Sequence, residues 1–313
     1  MDDMKIRIMK IAAFLLAAVS LTSCYDEYIG DYDFPNMGFT LEKQVRTVVS
    51  TTNKIYVGVS IGGKRQIDLK DWANFSLDET LLEGTGLKML PESYYVMDDP
   101  NTFHVRKSNL AVADVGITFT DAFYADPATL TATYALPFRL LATSIPAEDN
   151  PYGAIRKGAE TTIAAVKYIS GYSGTYYKVG SITETASDGQ TFETTYAKAD
   201  LSANETVVLK TLGRDVLLRP GLGNTSDGGL VITITETDGA YTVDVDMQEG
   251  GPELVSATAE YLAKGEYKLY SGNEDAPQIN LEYIYRKDDS TFTVQEKLVL
   301  RQYAERELKV ETF

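Results

Sequence analysis

The residues Val231-Ile232-Thr233-Ile234-Thr235 are followed by Thr237-Asp238-Gly239 and then by a second alternating run over 241–247. Apolar side chains stand at every second position on both sides of the Asp-Gly pair, which is the period of strands with one buried face. Asp238-Gly239 supplies the two positive φ angles that a type I′ turn requires. This stretch therefore predicts an antiparallel β-hairpin and indicates the fold class of the surrounding chain.

The same pattern recurs through the second half of the sequence. Turn residues stand at 187–189, 213–214 and 287–290, between apolar runs that alternate with polar residues. The predicted strands cover residues 176–185, 192–197, 207–209, 216–218, 231–235, 241–247, 266–270, 279–285 and 292–300. Closing such a meander into a barrel removes both unpaired sheet edges. We therefore expect an antiparallel β-barrel.

The first half also alternates with a period of two. Ile55, Val57, Val59 and Ile61 share one face of a strand that ends at Gly62-Gly63. Other short strands are predicted at residues 37–39, 45–50, 73–77, 94–97, 102–106, 115–119 and 134–142. About seven short strands separated by Asp, Asn, Gly and Pro clusters are typical of an immunoglobulin-like β-sandwich. The fold class expected for the whole chain is all-β.

A change in composition divides the two halves. Pro146, Pro151 and Gly153 lie in a charged segment that predicts a linker. We assign 36–145 to the sandwich, 146–165 to the linker and 166–313 to the barrel. The extended segment 161–169 is expected to cross into the second domain.

The amino terminus has the features of an export signal. Lys5, Arg7 and Lys10 precede an apolar core over 11–19, which is too short to span a bilayer, since a spanning helix needs about 20 apolar residues. Residues 1–23 are therefore predicted to be a signal peptide.

The end of this signal, Leu21-Thr22-Ser23-Cys24, resembles a bacterial lipobox. The resemblance implies that the Cys24 thiol is acylated and anchors the protein to a membrane, with several acyl chains making the attachment stable. Cys24 is the only cysteine, so no disulfide competes for it. The alternative is an ordinary signal peptide with a coincidental cysteine.

Residues 24–35 lack periodicity and are predicted to be a tether between the lipid and the first domain. Asp26 and Glu27, which begin two residues after the cysteine, are similar to the signal that directs Bacteroidetes lipoproteins to the outer face of the outer membrane. The resemblance implies a lipid-anchored location on the cell surface.

The charge balance excludes one class of partner. The 313-residue chain has 29 Lys and Arg against 45 Asp and Glu, for a net charge of -16. Binding to phosphate backbones needs clustered cations, so nucleic acid is not an expected partner.

Short phrases in both halves resemble a known family. Residues 81–82, 90–95 and 134–140 look like elements of an N-terminal domain of unknown function in Bacteroidetes surface lipoproteins. Residues 166–168 with 174–177, then 281–285 and 298–301, resemble the lipocalin-like C-terminal domain that accompanies it. The resemblance implies a two-domain protein from a glycan-utilisation system and implies no known activity.

Catalytic and metal sites are weakly supported. Gly58-Val59-Ser60-Ile61-Gly62 matches the G-x-S-x-G nucleophile elbow of α/β-hydrolases, and His104, the only histidine, is the only candidate base. The elbow requires a helix after the glycine, and no helix is predicted there. Asp98-Asp99, or Asp244 and Asp246 with Glu249, lack the spacing of an EF-hand loop. We expect no cofactor and no metal site, and a glycosidase with paired acids remains an alternative.

Aromatic residues provide the remaining signal, because sugars stack their apolar ring faces on Trp or Tyr. The candidate glycan-binding residues are Trp72, Tyr94, Tyr95 and Tyr124. The preferred hypothesis is a non-catalytic surface lipoprotein that binds extracellular glycan or glycoprotein. The alternative is a structural, adhesin-like accessory of an outer-membrane transport complex that contacts only protein partners.

Overall fold

The computed structural model describes residues 34–64, 68–107, 109–147, 150, 153–269, 272–308 and 311. The predicted signal peptide, Cys24 and nearly all of the predicted tether lie outside these residues. No helix in the described part of the chain is long and apolar enough to cross a membrane.

The first ten strands form one curved sheet, a half-barrel. Their order is β1-β3-β8-β7-β4-β9-β10-β2, with β5 on β9 and β6 on β8. The strands are β1 (Asn36–Gly38), β2 (Lys43–Val49), β3 (Lys54–Gly62), β4 (Trp72–Leu77), β5 (Lys88–Met89), β6 (Tyr95–Met97), β7 (Thr102–Arg106), β8 (Asn109–Phe119), β9 (Tyr134–Thr143) and β10 (Thr161–Ile169).

The other nine strands form a nearly closed barrel. Their order is β16-β15-β14-β13-β11-β19-β18-β17, with β12 on β11. The strands are β11 (Gly174–Thr185), β12 (Thr191–Thr195), β13 (Thr206–Thr211), β14 (Val216–Pro220), β15 (Gly229–Thr237), β16 (Ala240–Met247), β17 (Glu253–Leu262), β18 (Gln278–Lys287) and β19 (Ser290–Tyr303).

Helical structure in the described residues is short. The α-helices are Asp121–Ala125 and Ala304–Glu307, and the 3-10 helices are Glu79–Leu82, Glu92–Tyr94, Pro127–Leu130 and Leu201–Ala203. The predicted all-β fold class with two β bodies is confirmed.

The hairpin that predicted the fold class is present as β15 and β16. Asp238 and Gly239 have φ angles of 52° and 80°, the left-handed values expected for its turn. The strands pair in register from Leu230 with Met247 to Thr237 with Ala240.

An aromatic cluster fills the core of the first sheet. Phe75 stacks on Phe103 with ring centroids 4.3 Å apart, and Phe138 meets Phe75 edge-on at 5.2 Å. All three rings are essentially inaccessible to solvent. Burying each ring stabilises the fold by about 1.5–3 kcal/mol, so this cluster holds β4, β7 and β9 together.

The predicted boundary between the linker and the barrel, at residues 165/166, falls within strand β10. This strand pairs antiparallel with β9 and parallel with β2 along Ile163–Ile169, so the whole of Thr161–Ile169 belongs to the first sheet. Ala164, Val166 and Tyr168 enter the first core. The segment is extended, as expected, because β9 and β2 both offer it backbone partners. The chain therefore passes from the first sheet to the barrel between Ile169 and Gly174.

The barrel interior is filled by side chains and contains a buried ion pair. Arg219 on β14 donates to the Glu296 carboxylate on β19 through Nε at 3.0 Å and Nη2 at 2.6 Å. Arg219 also donates to the carbonyls of Pro220 and Gly223, and Tyr196 donates to Glu296. Because each charged group has several partners, the pair is tolerated although both side chains are buried.

The sequence reasoning missed β17. Glu253–Leu262 alternates exposed and half-buried residues, but a register shift between Leu254 and Ser256 breaks the period of two. Its alanines and glutamates also have low strand propensity. Of the predicted strand 266–270, the described residues 266–269 form an irregular segment with one bridge, between Lys268 and Asp275, and Tyr270 lies outside the described residues.

Candidate functional site

A cavity of 320 Å³ lies where the end of the barrel meets the first sheet. Four of its nine described lining residues are tyrosines, so we call it the tyrosine pocket. Its lining residues are Val49, Thr51, Gly171, Tyr172, Glu236, Tyr241, Tyr261, Tyr303 and Ala304. The volume is near the lower end of the range of about 300–1,000 Å³ for small-molecule sites.

The barrel topology brings the tyrosines together from distant parts of the sequence. Tyr241 opens β16 directly across from Glu236 of β15, and Tyr261 lies near the end of β17. Tyr303 ends β19, beside the start of β11. Tyr172 stands in the connection between the first sheet and the barrel. These positions share one end of the barrel, so their rings converge.

The rings meet edge to face. The centroids of Tyr172 and Tyr261 are 5.2 Å apart at an interplanar angle of 76°, and those of Tyr241 and Tyr261 are 4.8 Å apart at 66°. Such pairs stabilise each other by about 0.5–1.5 kcal/mol beyond the burial of their area. The arrangement fixes Tyr261 between two neighbours and limits the movement of the ring.

Backbone hydrogen bonds fix the position of Tyr172. Its N–H donates to Ser170 Oγ at 3.3 Å, and its carbonyl accepts from the hydroxyl of Tyr176 at 2.7 Å. Tyr176 is almost completely buried in the barrel. The pocket is therefore anchored to the barrel core.

The hydroxyls of Tyr172, Tyr241 and Tyr261 are neutral at physiological pH, because their pKa values are raised. Burial, followed by the charge effects of Tyr241, Glu236 and Asp215, raises the pKa of Tyr172 to about 12. Burial also raises the pKa of Tyr261. For Tyr241 the pKa is raised by burial and then by the charge of Glu236 and a hydrogen bond to it. The pocket thus offers uncharged phenols that donate or accept hydrogen bonds.

The pocket has the chemistry of a binding site. Glu236 is the only carboxylate among its described lining residues, whereas glycoside hydrolysis uses two carboxyl groups about 5–9.5 Å apart. Ring faces and one acceptor can orient a polyhydroxylated ring.

Contacts between the two bodies hold the first-sheet wall of the pocket. The Oγ of Ser50 donates to the Arg214 carbonyl at 3.2 Å and accepts from the Gly171 N–H at 3.0 Å. The Arg214 guanidinium lies 4.5 Å from the ring centroid of Tyr124 and donates to Asp121 at 2.6 Å. These contacts therefore connect the first-sheet wall of the pocket to the barrel wall.

The predicted glycan-binding residues lie in the first body, Trp72 and Tyr95 on strands and Tyr94 and Tyr124 in short helices, outside the tyrosine pocket. Tyr124 is 8% exposed, and its hydroxyl donates to Asn53 at 2.6 Å. The Tyr94 hydroxyl donates to Asp126 at 3.0 Å. Tyr94 and Tyr124 both pack against Phe123.

Tyr95 and Trp72 are half-buried residues of β6 and β4, and Trp72 pairs with His104 of β7. The structure brings Tyr94 and Tyr124 near one another and leaves Trp72 on a different strand. Their role in glycan binding stays a prediction.

Ser60 and His104 do not form a catalytic pair. Ser60 lies within β3, and its Oγ donates to the Gly38 carbonyl at 3.1 Å. His104 lies on β7 with Nε2 2.9 Å from Asp99, and strand β8 separates the two residues. The chain continues as strand through Gly62, so the strained turn of a nucleophile elbow is missing at Ser60.

The acidic residues considered as calcium ligands either bond to other groups of the protein or lie exposed on a strand. Asp98 pairs with Lys54 at 2.8 Å, and Asp99 accepts from the backbone of Asn101 and Thr102. Asp244 and Asp246 are exposed on β16. Within the described ranges, no three His, Cys, Asp or Glu side chains converge to hold a metal ion.

A larger groove of 760 Å³ crosses the outer wall of the barrel over β11, β12, β17, β18 and β19. Its described lining residues include Glu260, Glu282 and Lys297 and contain no aromatic ring. Glu260 accepts from Asn280, and Lys297 pairs with Glu266 at 2.9 Å. Without a ring platform it fits a sugar less well than the tyrosine pocket does.

Comparisons with known proteins support the fold. A family model described as an N-terminal domain matches residues 26–147. No curated protein matches the sequence. A solved structure of a protein of unknown function from Bacteroides ovatus aligns over 90% of this chain and 99% of its own length, with 20% identity and a TM-score of 0.65. That likeness shows a shared fold across both bodies.

Two further structures are less similar. A multidomain protein including DUF1735 from Bacteroides ovatus is 13% identical, with 89% of this chain and 100% of the other covered and a TM-score of 0.40. An auxiliary nutrient binding protein from Bacteroides thetaiotaomicron is 12% identical, with 79% and 82% covered and a TM-score of 0.33. Neither TM-score is high enough to support an argument about this chain.

Proposed function

We propose that the protein is a non-catalytic lipoprotein of the outer-membrane surface that binds extracellular glycan or glycoprotein within a polysaccharide-utilisation system. The tyrosine pocket is the binding site. The single observation that carries this proposal is the convergence of four tyrosines and one carboxylate around a 320 Å³ cavity. Cys24 is the proposed membrane anchor, and an outer-membrane transport complex is a proposed partner.

Sugar binding requires a stiff apolar platform beside hydrogen-bonding groups, and Tyr241 and Tyr261 provide both. Their rings are held edge to face at 4.8 Å, so little side-chain freedom remains to be lost when a ligand binds. The hydroxyls are neutral and suit the hydroxyl groups of a pyranose.

The experiment is a glycan array followed by calorimetry on the full chain purified in detergent. We expect binding to at least one glycan, and we expect Tyr241→Ala to weaken it at least about tenfold, which is about 1.4 kcal/mol. Tyr56→Ala is the matched control, since Tyr56 is an exposed strand tyrosine on the first sheet. Trp72→Ala and Tyr95→Ala test the positions predicted from sequence in the same assay.

Unchanged affinity in Tyr241→Ala would contradict the proposed site. No glycan binding, together with outer-membrane proteins that co-purify with the chain, would favour the structural accessory instead. Turnover of an oligosaccharide by the purified protein would support a hydrolase.

A further inference from the structure

The only charged side chain among the described lining residues of the tyrosine pocket is the acidic Glu236. Glu236 is an exposed residue of the pocket lining. Asp215, whose carbonyl accepts from the Ile234 N–H, lies close enough for its charge to act on Tyr172. None of the described lining residues is Lys, Arg or His. The electrostatic potential in the pocket is therefore negative.

The cation next to Asp215 in the sequence is engaged elsewhere. Arg214 precedes Asp215, but its guanidinium pairs with Asp121 at 2.6 Å and covers the Tyr124 ring. Because these contacts hold Arg214 on the first sheet, it is not directed at a ligand beside Tyr241 and Tyr261. An anionic group in the pocket would have no cationic partner among the described lining residues.

The phenols do not offset this potential. Burial raises the pKa of Tyr172 to about 12, so this tyrosine remains neutral. The carboxylate of Glu236 stands opposite Tyr241 across the hairpin and is hydrogen-bonded to it. A carboxylate has about four lone-pair positions, so acceptor capacity remains for a ligand. A ligand ring stacked on Tyr241 would place a substituent near this carboxylate.

We infer that the tyrosine pocket selects neutral or amine-bearing sugar rings and rejects rings that carry a carboxylate or sulfate. This inference rests on the proposed function, because it concerns the ligand class of the same site. Discrimination follows from a carboxylate at the pocket, since like charges within a few ångströms repel and an ammonium group would be attracted.

The test compares three probes that differ at one substituent: a methyl hexopyranoside, its uronic acid and its 2-amino derivative, in both the gluco and galacto series. Affinities are measured by calorimetry or ligand-observed NMR on the full chain in detergent at low and high salt. We expect the uronide to bind at least about tenfold more weakly than the neutral glycoside and the amine to bind at least as tightly. Added salt should narrow the difference, because Glu236 is exposed.

Glu236→Gln should bring the uronide to within about threefold of the neutral ring, because the repelling charge is gone. The matched control is Glu260→Gln, an exposed strand acid in the outer groove, which should leave the ratio unchanged.

A uronide that binds as tightly as the neutral ring, or a ratio that Glu236→Gln does not alter, overturns the inference while leaving the proposed function intact. Failure of all probes and all arrayed glycans to bind overturns both.

Discussion

Removing the buried charge of Glu296 should destabilise the barrel far more than removing the exposed charge of Glu266. The Arg219 and Glu296 side chains are 1% and 0% exposed, and they are joined by two hydrogen bonds of 3.0 and 2.6 Å. Burial is the largest single influence and lowers the pKa of Arg219, but the charge of Glu296, the hydrogen bonds to it and the nearby Tyr283 and Tyr196 together raise it by more. The net pKa is therefore raised, and the guanidinium stays charged. Glu296→Gln keeps the shape but leaves that cation buried without a counter-ion.

The expected loss in the free energy of unfolding is about 3–5 kcal/mol, the cost of breaking a buried pair. The double variant Arg219→Met with Glu296→Leu removes both charges and should lose less than Glu296→Gln alone. Part of its cost remains, because the Gly223 carbonyl and the Tyr196 hydroxyl lose their partners.

The assay is urea unfolding of the protein, and the unfolding of the barrel is monitored by tyrosine fluorescence and circular dichroism. Glu266→Gln is the control, since its pair with Lys297 is exposed and should contribute at most about 1 kcal/mol. A loss below 1 kcal/mol for Glu296→Gln, or a double variant less stable than this single one, would refute the reasoning about the buried charge.

Three further changes test the packing and the junction. Gly180→Ala should cost about 1–3 kcal/mol in thermal unfolding, because a Cβ would lie 2.2 Å from the Gln295 carbonyl, whereas Ser181→Ala should cost little. Asp126→Asn should destabilise the protein more at pH 7 than at pH 2, because the Ala128 N–H first, and then Tyr134 and Tyr94, lower the pKa of Asp126. This stabilisation is complete above the unfolded value of about 3.9 and is lost as pH falls through the folded pKa; an equal effect at both pH values would argue against it. Arg214→Ala should accelerate proteolysis between residues 169 and 174, because it removes a cation–π contact between the two bodies of about 0.5–1 kcal/mol. Arg286→Ala is the control, and cleavage of Arg214→Ala no faster than that of the control would contradict a role of Arg214 in holding the junction.

Local sequence rules predicted the β architecture well because strand periodicity and turn chemistry act over a few residues. The turn at Asp238-Gly239 and the alternation of β3 were both confirmed. Pairing between distant strands follows different rules. Nothing near Thr161–Ile169 indicates that β2, more than one hundred residues earlier, would pair with it, so the first body was predicted to end too early.

The candidate site depends on the same long-range pairing. Tyr172, Tyr241, Tyr261 and Tyr303 are spread over more than one hundred residues and meet only when the barrel forms. The available local signal was the position of Tyr241 directly after the Asp-Gly turn, where a side chain lies at a barrel end. Sequence reasoning recognised that aromatic platforms mattered and could not identify which tyrosines would share one cavity.

The measurement that tests the central claim most directly is a crystal structure of the protein with the tightest-binding oligosaccharide from the array. The account predicts one sugar ring within the tyrosine pocket, stacked on Tyr241 or Tyr261, with a hydroxyl or amine near Glu236. A ligand bound instead on the outer groove or beside Trp72, with the tyrosine pocket empty, would contradict it.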